Sequence, residues 1–538
     1  MTHALDQARA NPSINVIKVW HSVRPIAPLL FGEDESNPAL RGLEPSFPLI
    51  LPAGVQLVGI ASGANKPRML VNETRPVGDP VLYDFVVPSN YTLASPPPPP
   101  PPAPQTVPFR NAYVLAASNS SVDGFLLDGT KLRFKADNID GWNVGLLAEN
   151  YRVDVGGGVI EERDVIGFTI ANCTIADLYD GIVWSRRNAG TTSGSVRDTV
   201  VSDCFPHRKI DAITDPLDPL FHEQGHAAVW LETHRPTPGN SGAILVDVDT
   251  TGCTFERNHD AVETGGDPGI SDATIRYYAF DCTFQCNENG IEAVGPATCD
   301  IDIQDCRFLR NVNRPDAEGG YRFTPTAAII TRLKPASITV RRSIFRDNAI
   351  SVLAGSAATT LDFGTFVDNP APEPDFVDPG LNSFSYTRDA FGEPIPELAL
   401  EVVTDPNRRY FVNVHLMRDA QMTAYGNRWF GSNQDFDQDG LIAPSLGLLC
   451  AQDSNAQPGV NCESYPDPST HDEFCLPPPS TAKFAAARNF ALSWEACIDF
   501  GALFSAPGCP WSSFPVCDDT PTAACPCFVP PAGCPPGG

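Results

Sequence analysis

An all-β solenoid, the right-handed parallel β-helix, is the fold class this sequence predicts, and three observations carry that reading. The first is a phrase written twice between Gly252 and Gly295. Cys253-Thr254-Phe255, a polar turn and Asp260-Ala261-Val262-Glu263 are followed, 29 residues on, by Cys282-Thr283-Phe284, a second polar turn and Asn289-Gly290-Ile291-Glu292. Self-similarity at a period of a few tens of residues marks a repeat architecture. The second is recurrence on either side. Upstream stand Cys173-Thr174-Ile175 with Asp180-Gly181-Ile182, and Cys204-Phe205 with Ala228-Val229-Trp230. Downstream stand Cys306-Arg307-Phe308 with Ala328-Ile329-Ile330, Ser343-Ile344-Phe345 with Ala349-Ile350-Ser351, and Gly364-Thr365-Phe366. The third is alternation just before these positions, as in Val246-Asp247-Val248, Ile275-Arg276-Tyr277 and Ile301-Asp302-Ile303. Period two means strands with one buried face. A single coil of strand, bend and strand cannot bury that face alone, so coils must stack.

Taken from the front, residues 3–10 predict a short capping helix with Leu5 and Ala8 on one face, stopped by Asn11-Pro12. A helix over the first coil covers an otherwise open sheet edge. Ile14–Trp20 reads as a strand, and Phe47–Gly59 as strand, turn, strand, so residues 1–60 form the cap and first coil. Residues 61–110 break the pattern, with the near-pure proline run from Ser95 to Pro104 reading as a polyproline II spacer in an inserted loop. Coils resume at Tyr113-Val114-Leu115 and extend over 111–430, with a Pro- and Asp-rich excursion at 370–396. Residues 431–538 form an acidic turn and a Cys/Pro-rich tail.

The totals exclude several function classes. A net charge of −28 argues against a nucleic-acid partner, whose phosphates require Lys and Arg. No polybasic segment points to anionic lipid, and no apolar run approaches the roughly 18 residues of a membrane-spanning helix. The start, Met1-Thr2-His3-Ala4-Leu5-Asp6, has neither the basic start nor the apolar core of a signal peptide, and we expect the chain to begin inside a longer one. Of 16 cysteines, those at 173, 204, 253, 282 and 306 share one repeat position and are expected to stack as a buried ladder of small residues. Another nine crowd the tail from Cys450 to Cys534, which reads as a disulfide framework in an oxidising compartment, with zinc as the rival. The expected setting is therefore extracellular or cell-surface, as a monomer.

A family resemblance rests on the front of the chain. The Ala4-Leu5-x-x-Ala8 helix, the following strand and the stretch Phe47–Gly59 are similar to the opening of a bacterial family of secreted or surface parallel β-helix proteins of unknown function. The coils resemble the wider pectin-lyase-like superfamily, and Gly426-Asn427-Arg428-Trp429 resembles the way family members end their helix. The Asp/Gly-rich stretch that usually precedes the helix is absent, in keeping with a truncated start. The resemblance implies a fold and a surface setting but no fixed chemistry. None of the motif strings of pectin hydrolases occurs; Gly225-His226-Ala227 and Arg208-Lys209-Ile210 only approach them.

Stacking turns the repeat into a surface. Aligning the coils places Val183, Trp230, Glu263, Glu292, Ile330 and Ser351 in one outward column. Glu263 and Glu292 then lie on neighbouring rungs beside an indole, and paired carboxylates are the groups glycoside chemistry uses. Long turns after Cys204 and Cys306 would wall a cleft whose floor carries Arg257, Asn258, His259, Asp260, Glu288 and Asn289. A second column, Asp198, Asp247, Arg276 and Asp300, with Asp249, Tyr278 and Asp302 two residues on, reads as an ion-pair ladder or a binding face. The expected ligand-binding residues are thus Trp230, Arg257, Asn258, Glu288, Asn289, Asp247, Arg276, Tyr278 and Asp300. Catalysis, if present, falls to Glu263, Glu292, His259 and Asp260. Asp435, Asp437 and Asp439 before Gly440 open like a calcium loop, but Leu446 stands where the closing acidic ligand belongs. The expected partner is a polysaccharide or cell-surface glycan; Ca²⁺ is the one cofactor in view. The first function is glycan binding along one solenoid face without a catalytic motif. The alternatives are a polysaccharide lyase or glycoside hydrolase, and a purely structural or adhesive surface element.

Overall fold

The computed structural model describes residues 2–21, 29–31, 49–71 without 64, 86–88, 110–129, 142–204 without 157–158, 227–234, 242–266, 272–311 without 295–296, 327–331, 336–354 without 347 and 349, 359–367, 376–385 without 379, 412–416, 421–423, 428–429 and 448–451. The chain divides into two compact units, Met1–Tyr277 and Tyr278–Gly538. The division falls inside the strand Ala273–Phe280.

In the first unit the chain visits three parallel sheets in strict rotation, which defines a parallel β-helix. The first sheet runs Val16–Trp20, Gln56–Ile60, Ser121–Asp123, Val165–Ala171, Gly190–Arg197 and Ile244–Thr251. The second uses three-residue strands such as Leu126–Asp128, Thr174–Ala176, Val200–Ser202 and Thr254–Glu256. The third includes Arg110–Leu115, Trp142–Glu149, Asp180–Arg186, Ala227–Thr233 and Asp260–Gly266. The second unit repeats the plan, its first sheet holding Thr298–Gln304, Ala336–Arg341, Thr360–Asp362 and Gln421–Thr423. Its second sheet holds Thr283–Gln285, Arg307–Leu309, Ile344–Arg346, Ser383–Ser385 and Arg428–Trp429. The helix is Thr2–Ala10, with Leu5 and Ala8 buried as its spacing requires.

The alternating runs make these strands because each coil buries alternate side chains. Ile17, Leu57, Val122, Ile170 and Val196 are in register on five successive rungs and all buried. In the second unit the Phe of the repeated phrase stacks face to face: Phe284, Phe308, Phe345 and Phe384 have ring centroids 4.6, 4.8 and 4.7 Å apart. That is the rung spacing itself, and each buried ring contributes about 1.5–3 kcal/mol.

Corners explain the short strands. Short strands are bracketed by left-handed residues, Asp198 (φ 47°) and Asp203 (φ 57°) in one coil, Asp305 (φ 56°) and Arg310 (φ 53°) in another. Asn and Asp tolerate this conformation best among non-glycine residues, which accounts for Asn172, Asp203, Asp281 and Asp305 before Cys173, Cys204, Cys282 and Cys306, with Gly252 before Cys253. Corners also carry cross-coil ion pairs, among them Arg257 on Asp203 and Arg342 on Asp305.

The stacking corrects the sequence reading in four places. Thr199, not Cys204, lies between Cys173 and Cys253 in the corner column, because Thr174 pairs with Val200 and Val200 with Thr254. The Thr199 hydroxyl accepts the Cys173 amide as a thiol or serine would, so a small polar residue stood in for the expected letter. Cys204 occupies the next corner, where its amide donates to Asn258 Oδ1 at 3.0 Å. In the second unit the column is Cys282, Cys306, Ser343 and Asn382, the last in place of Gly364. The strand after Gly364, Thr365–Val367, instead pairs antiparallel with Phe376–Asp378. On the third sheet Ile330 pairs with Leu353, not Ser351; a slip of two keeps the same face outward and so escapes a period-two reading. Asp198 is a corner residue, and Ser193 is the neighbour of Asp247.

Candidate functional site

In the first unit the outward column of the third sheet forms as expected through Val183, Trp230 and Glu263, which are register partners on adjacent strands. It is not a bare surface. Trp230 is only 5% exposed, and Glu263 is half-buried. Gly265 makes room for the indole, since a Cβ there would lie 2.7 Å from Trp230 Nε1. Two residues further along each strand lies a row absent from the sequence reading: Glu149, Ser185 and Glu232, in register and all buried. His234 Nε2 stands 3.0 Å from Glu232 Oε1, with both side chains buried. The alternation Trp230-x-Glu232-x-His234 was the available signal, since residues two and four places on from an outward Trp also point outward.

The turn residues separate by role. His259 Nδ1 meets Asp260 Oδ2 at 2.7 Å, and Asp260 is buried. Arg257 is held by Asp203 and Glu256, with the hydrogen-bonded Asp203 carboxylate the main cause raising its pKa. Asn258 points inward, fully buried, its Nδ2 donating to Val201 O at 3.1 Å. It is thus no part of a cleft floor. It is the first-unit member of a corner motif repeated in the second unit. There Asn311 donates to Asn348 Oδ1 through both its backbone N (3.0 Å) and Nδ2 (2.8 Å), and Asn348 Nδ2 donates to Phe308 O at 2.9 Å.

In the second unit Glu288, Asn289 and Glu292 are all buried. Asn289 bridges inside the fold, its Nδ2 donating to Glu292 Oε2 at 2.9 Å and its Oδ1 accepting the Ala327 amide at 3.0 Å. Glu263 belongs to the first unit and Glu292 to the second. Asp435, Asp437 and Asp439 lie outside the described residues, as does the Cys-rich tail apart from Leu448–Ala451. Among the described residues no cluster of three or more His, Cys, Asp or Glu is arranged to hold a metal ion.

The outer face of the first sheet carries exposed and half-buried polar residues. In the first unit Ser193 and Ser195 pair with Asp247 and Asp249, and Arg276 is exposed. Burial raises the Asp249 carboxyl above its usual range, with Asp247 repulsion adding to it and Arg197 opposing. In the second unit two polar rows are in register: Asp300 with Ser337 and Thr360, and Asp302 with Thr339 and Asp362. Partial burial raises both the Asp302 carboxyl and the Tyr278 hydroxyl, and for Tyr278 the Asp302 charge is the next cause. Gln304 donates to Asp302 while Arg342 clamps Asp305 and reaches Gln304 Oε1 at 3.1 Å.

Fold and faces together define a parallel β-helix protein with polar ladders on the outer face of its first sheet. No family model matches the chain, and no curated protein matches it. Among solved structures it is similar to the A-module of mannuronan C-5 epimerase AlgE4 from Azotobacter vinelandii, at 12% identity over 80% of this chain and 85% of that one, with a TM-score of 0.30. The A-module of AlgE6 from the same organism gives 10% identity, 80% and 86% coverage and a TM-score of 0.31. At these values neither likeness bears on what this chain acts on. No helix among the described residues is long and apolar enough to cross a membrane.

Proposed function

We propose that this chain is an extracellular or cell-surface β-helix that binds extended glycans along one face of the solenoid. One observation carries the reading: the outer face of the first sheet bears hydroxyls and carboxylates in register, Asp300, Ser337 and Thr360 beside Asp302, Thr339 and Asp362. Rungs about 4.8 Å apart present carboxylate acceptors and hydroxyl donor–acceptors at a repeat comparable with one pyranose ring. Tyr278 supplies an aromatic edge to the Asp302 row, and aromatic rings give sugars an apolar surface with a polar tip. In the first unit Asp247 offers a carboxylate and Arg276 a guanidinium on the strands Ile244–Thr251 and Ala273–Phe280.

A glycan array probed with the full chain tests this, run beside reducing-sugar and unsaturated-product assays. Retention of one or more extended glycans without product is the expected result, with Tyr278→Ala and Asp300→Ala each weakening it. Absence of binding to any neutral, acidic or amino glycan would overturn the reading.

The second reading is a polysaccharide-cleaving enzyme, favoured by Trp230, Glu263, Glu232 and His234 lying on one sheet face with the 3.0 Å Glu232–His234 contact. A carboxylate held beside an imidazole is an acid–base pair in form. Product formation that is lost in Glu263→Gln or Glu232→Gln, with glycan binding intact, would establish this reading over the first.

A further inference from the structure

Trp20 is 70% exposed at the end of the first strand of the first sheet, the most exposed large apolar side chain among the described residues. An exposed indole offers a flat apolar face with a polar edge, the kind of surface on which a sugar ring stacks. Its surroundings say which kind of sugar. Strand register lays an outward row across the first unit: Gln56, Ser121, Thr169, Ser195 and Asp249. Beside it runs Lys18, Val58, Asp123, Ala171, Arg197 and Thr251, and Trp20 itself is paired with Ile60.

The charges on this strip are Lys18, Arg197, Asp123 and Asp249, which cancel, although the whole chain carries −28. A cancelled field on a strongly acidic protein is the opposite of what recruits a polyanion, and the chain's overall field repels one. The amides and hydroxyls of Gln56, Ser121 and Thr169 donate and accept without net charge. Six strands at about 4.8 Å give a track of roughly 24 Å, long enough for several sugar rings.

We infer that Trp20 is the stacking platform of a neutral-glycan site whose track continues over Gln56, Ser121 and Thr169. This rests on the glycan-binding reading and narrows it to uncharged chains rather than polyuronates or amino glycans.

The test is affinity electrophoresis of the full chain in gels holding a neutral β-glucan or xylan, an alginate or polygalacturonate, or a chitosan. Retardation by a neutral gel is expected, little changed by salt because no charge is neutralised. Trp20→Ala should weaken it about tenfold and Trp20→Phe much less. Trp20 is exposed, so both variants should keep the parent thermal midpoint, which is checked alongside. Retardation only by the uronate or only by chitosan would overturn the inference while leaving glycan binding standing. No retardation in any gel would remove both. Neutral binding unaffected by Trp20→Ala would place the site elsewhere and also overturn it.

Discussion

Asn348→Ala should destabilise the second unit far more than the loss of one amide suggests. Asn348 is fully buried at a corner, where its Oδ1 accepts the Asn311 backbone amide at 3.0 Å and Asn311 Nδ2 at 2.8 Å while its Nδ2 donates to Phe308 O at 2.9 Å. Alanine removes all three bonds and leaves two buried backbone groups, Asn311 N–H and Phe308 C=O, without these partners. At about 1–3 kcal/mol for each stranded group, the loss should be about 2–6 kcal/mol. Ser337→Ala, exposed on the outer face of the same unit, is the control and should stay within about 0.5 kcal/mol. Amide hydrogen exchange of the full chain reads the effect locally, in the strands Arg307–Leu309 and Ile344–Arg346. Coils contact mainly their neighbours, so protection should fall there first. Should the Asn348 variant exchange like the Ser337 control, the corner bonds would not be holding the coils.

Further outcomes follow from the same packing. Phe308→Ala, in the middle of the stack between Phe284 and Phe345, should destabilise by about 3–5 kcal/mol in urea titration of the second unit's signal. Gly194→Ala should disrupt the fold, seen as loss of the cooperative thermal transition, because its Cβ would lie 2.1 Å from Phe168 O and 2.5 Å from the Trp184 ring. Burial pushes the Cys173 thiol up to about 11 from its usual 9.0. The unfolded chain therefore ionises first, so this group's contribution is intact below pH 9.0 and is lost as pH rises to about 11, a loss of about 3 kcal/mol. Native Cys173 should accordingly resist iodoacetamide at pH 8 and label only on unfolding, as mass spectrometry of the digested protein would show. Ser185→Ala should be neutral or stabilising by about 1 kcal/mol, as its fully buried hydroxyl has no hydrogen-bond partner among the described residues. A loss above that size on calorimetry would mean the hydroxyl is engaged.

The fold was legible because each coil repeats an apolar pattern with a fixed corner. Phe255, Phe284, Phe308 and Phe345 follow Cys253, Cys282, Cys306 and Ser343 by two, and all are buried. The asparagine ladder was equally present, five residues after Cys253, Cys282, Cys306 and Ser343 at Asn258, Asn287, Asn311 and Asn348, but polar letters in a turn read as solvated loop. Errors came where chemistry outweighed spelling, as with Thr199 doing the work of a cysteine. Cys286, at a left-handed corner (φ 56°), and Cys299, inside a strand, fell outside the repeat position and went unread. The candidate site was less legible for a different reason. Alternation fixes which side of the strand a residue occupies, so Trp230 and Glu263 were placed on the correct side. Whether an outward residue meets water depends on what packs over it, and Trp230, Glu232 and Glu292 are all buried. Trp20 shows the reverse, an outward residue left in water.

The corners also bear on how such a chain changes length. Asn172, Asp198, Gly252, Asp281, Asp305 and Arg342 bend the backbone in nearly the same way, with φ between 47° and 64°. Every turn therefore starts and finishes with its ends in equivalent places, whatever residue makes the bend. Duplicating or deleting one whole turn would leave the turns on both sides joined as before, whereas gaining or losing a single residue inside a three-residue strand would not. Growth of the gene in whole-turn increments, with arbitrary insertions admitted only between corners, is what that geometry permits.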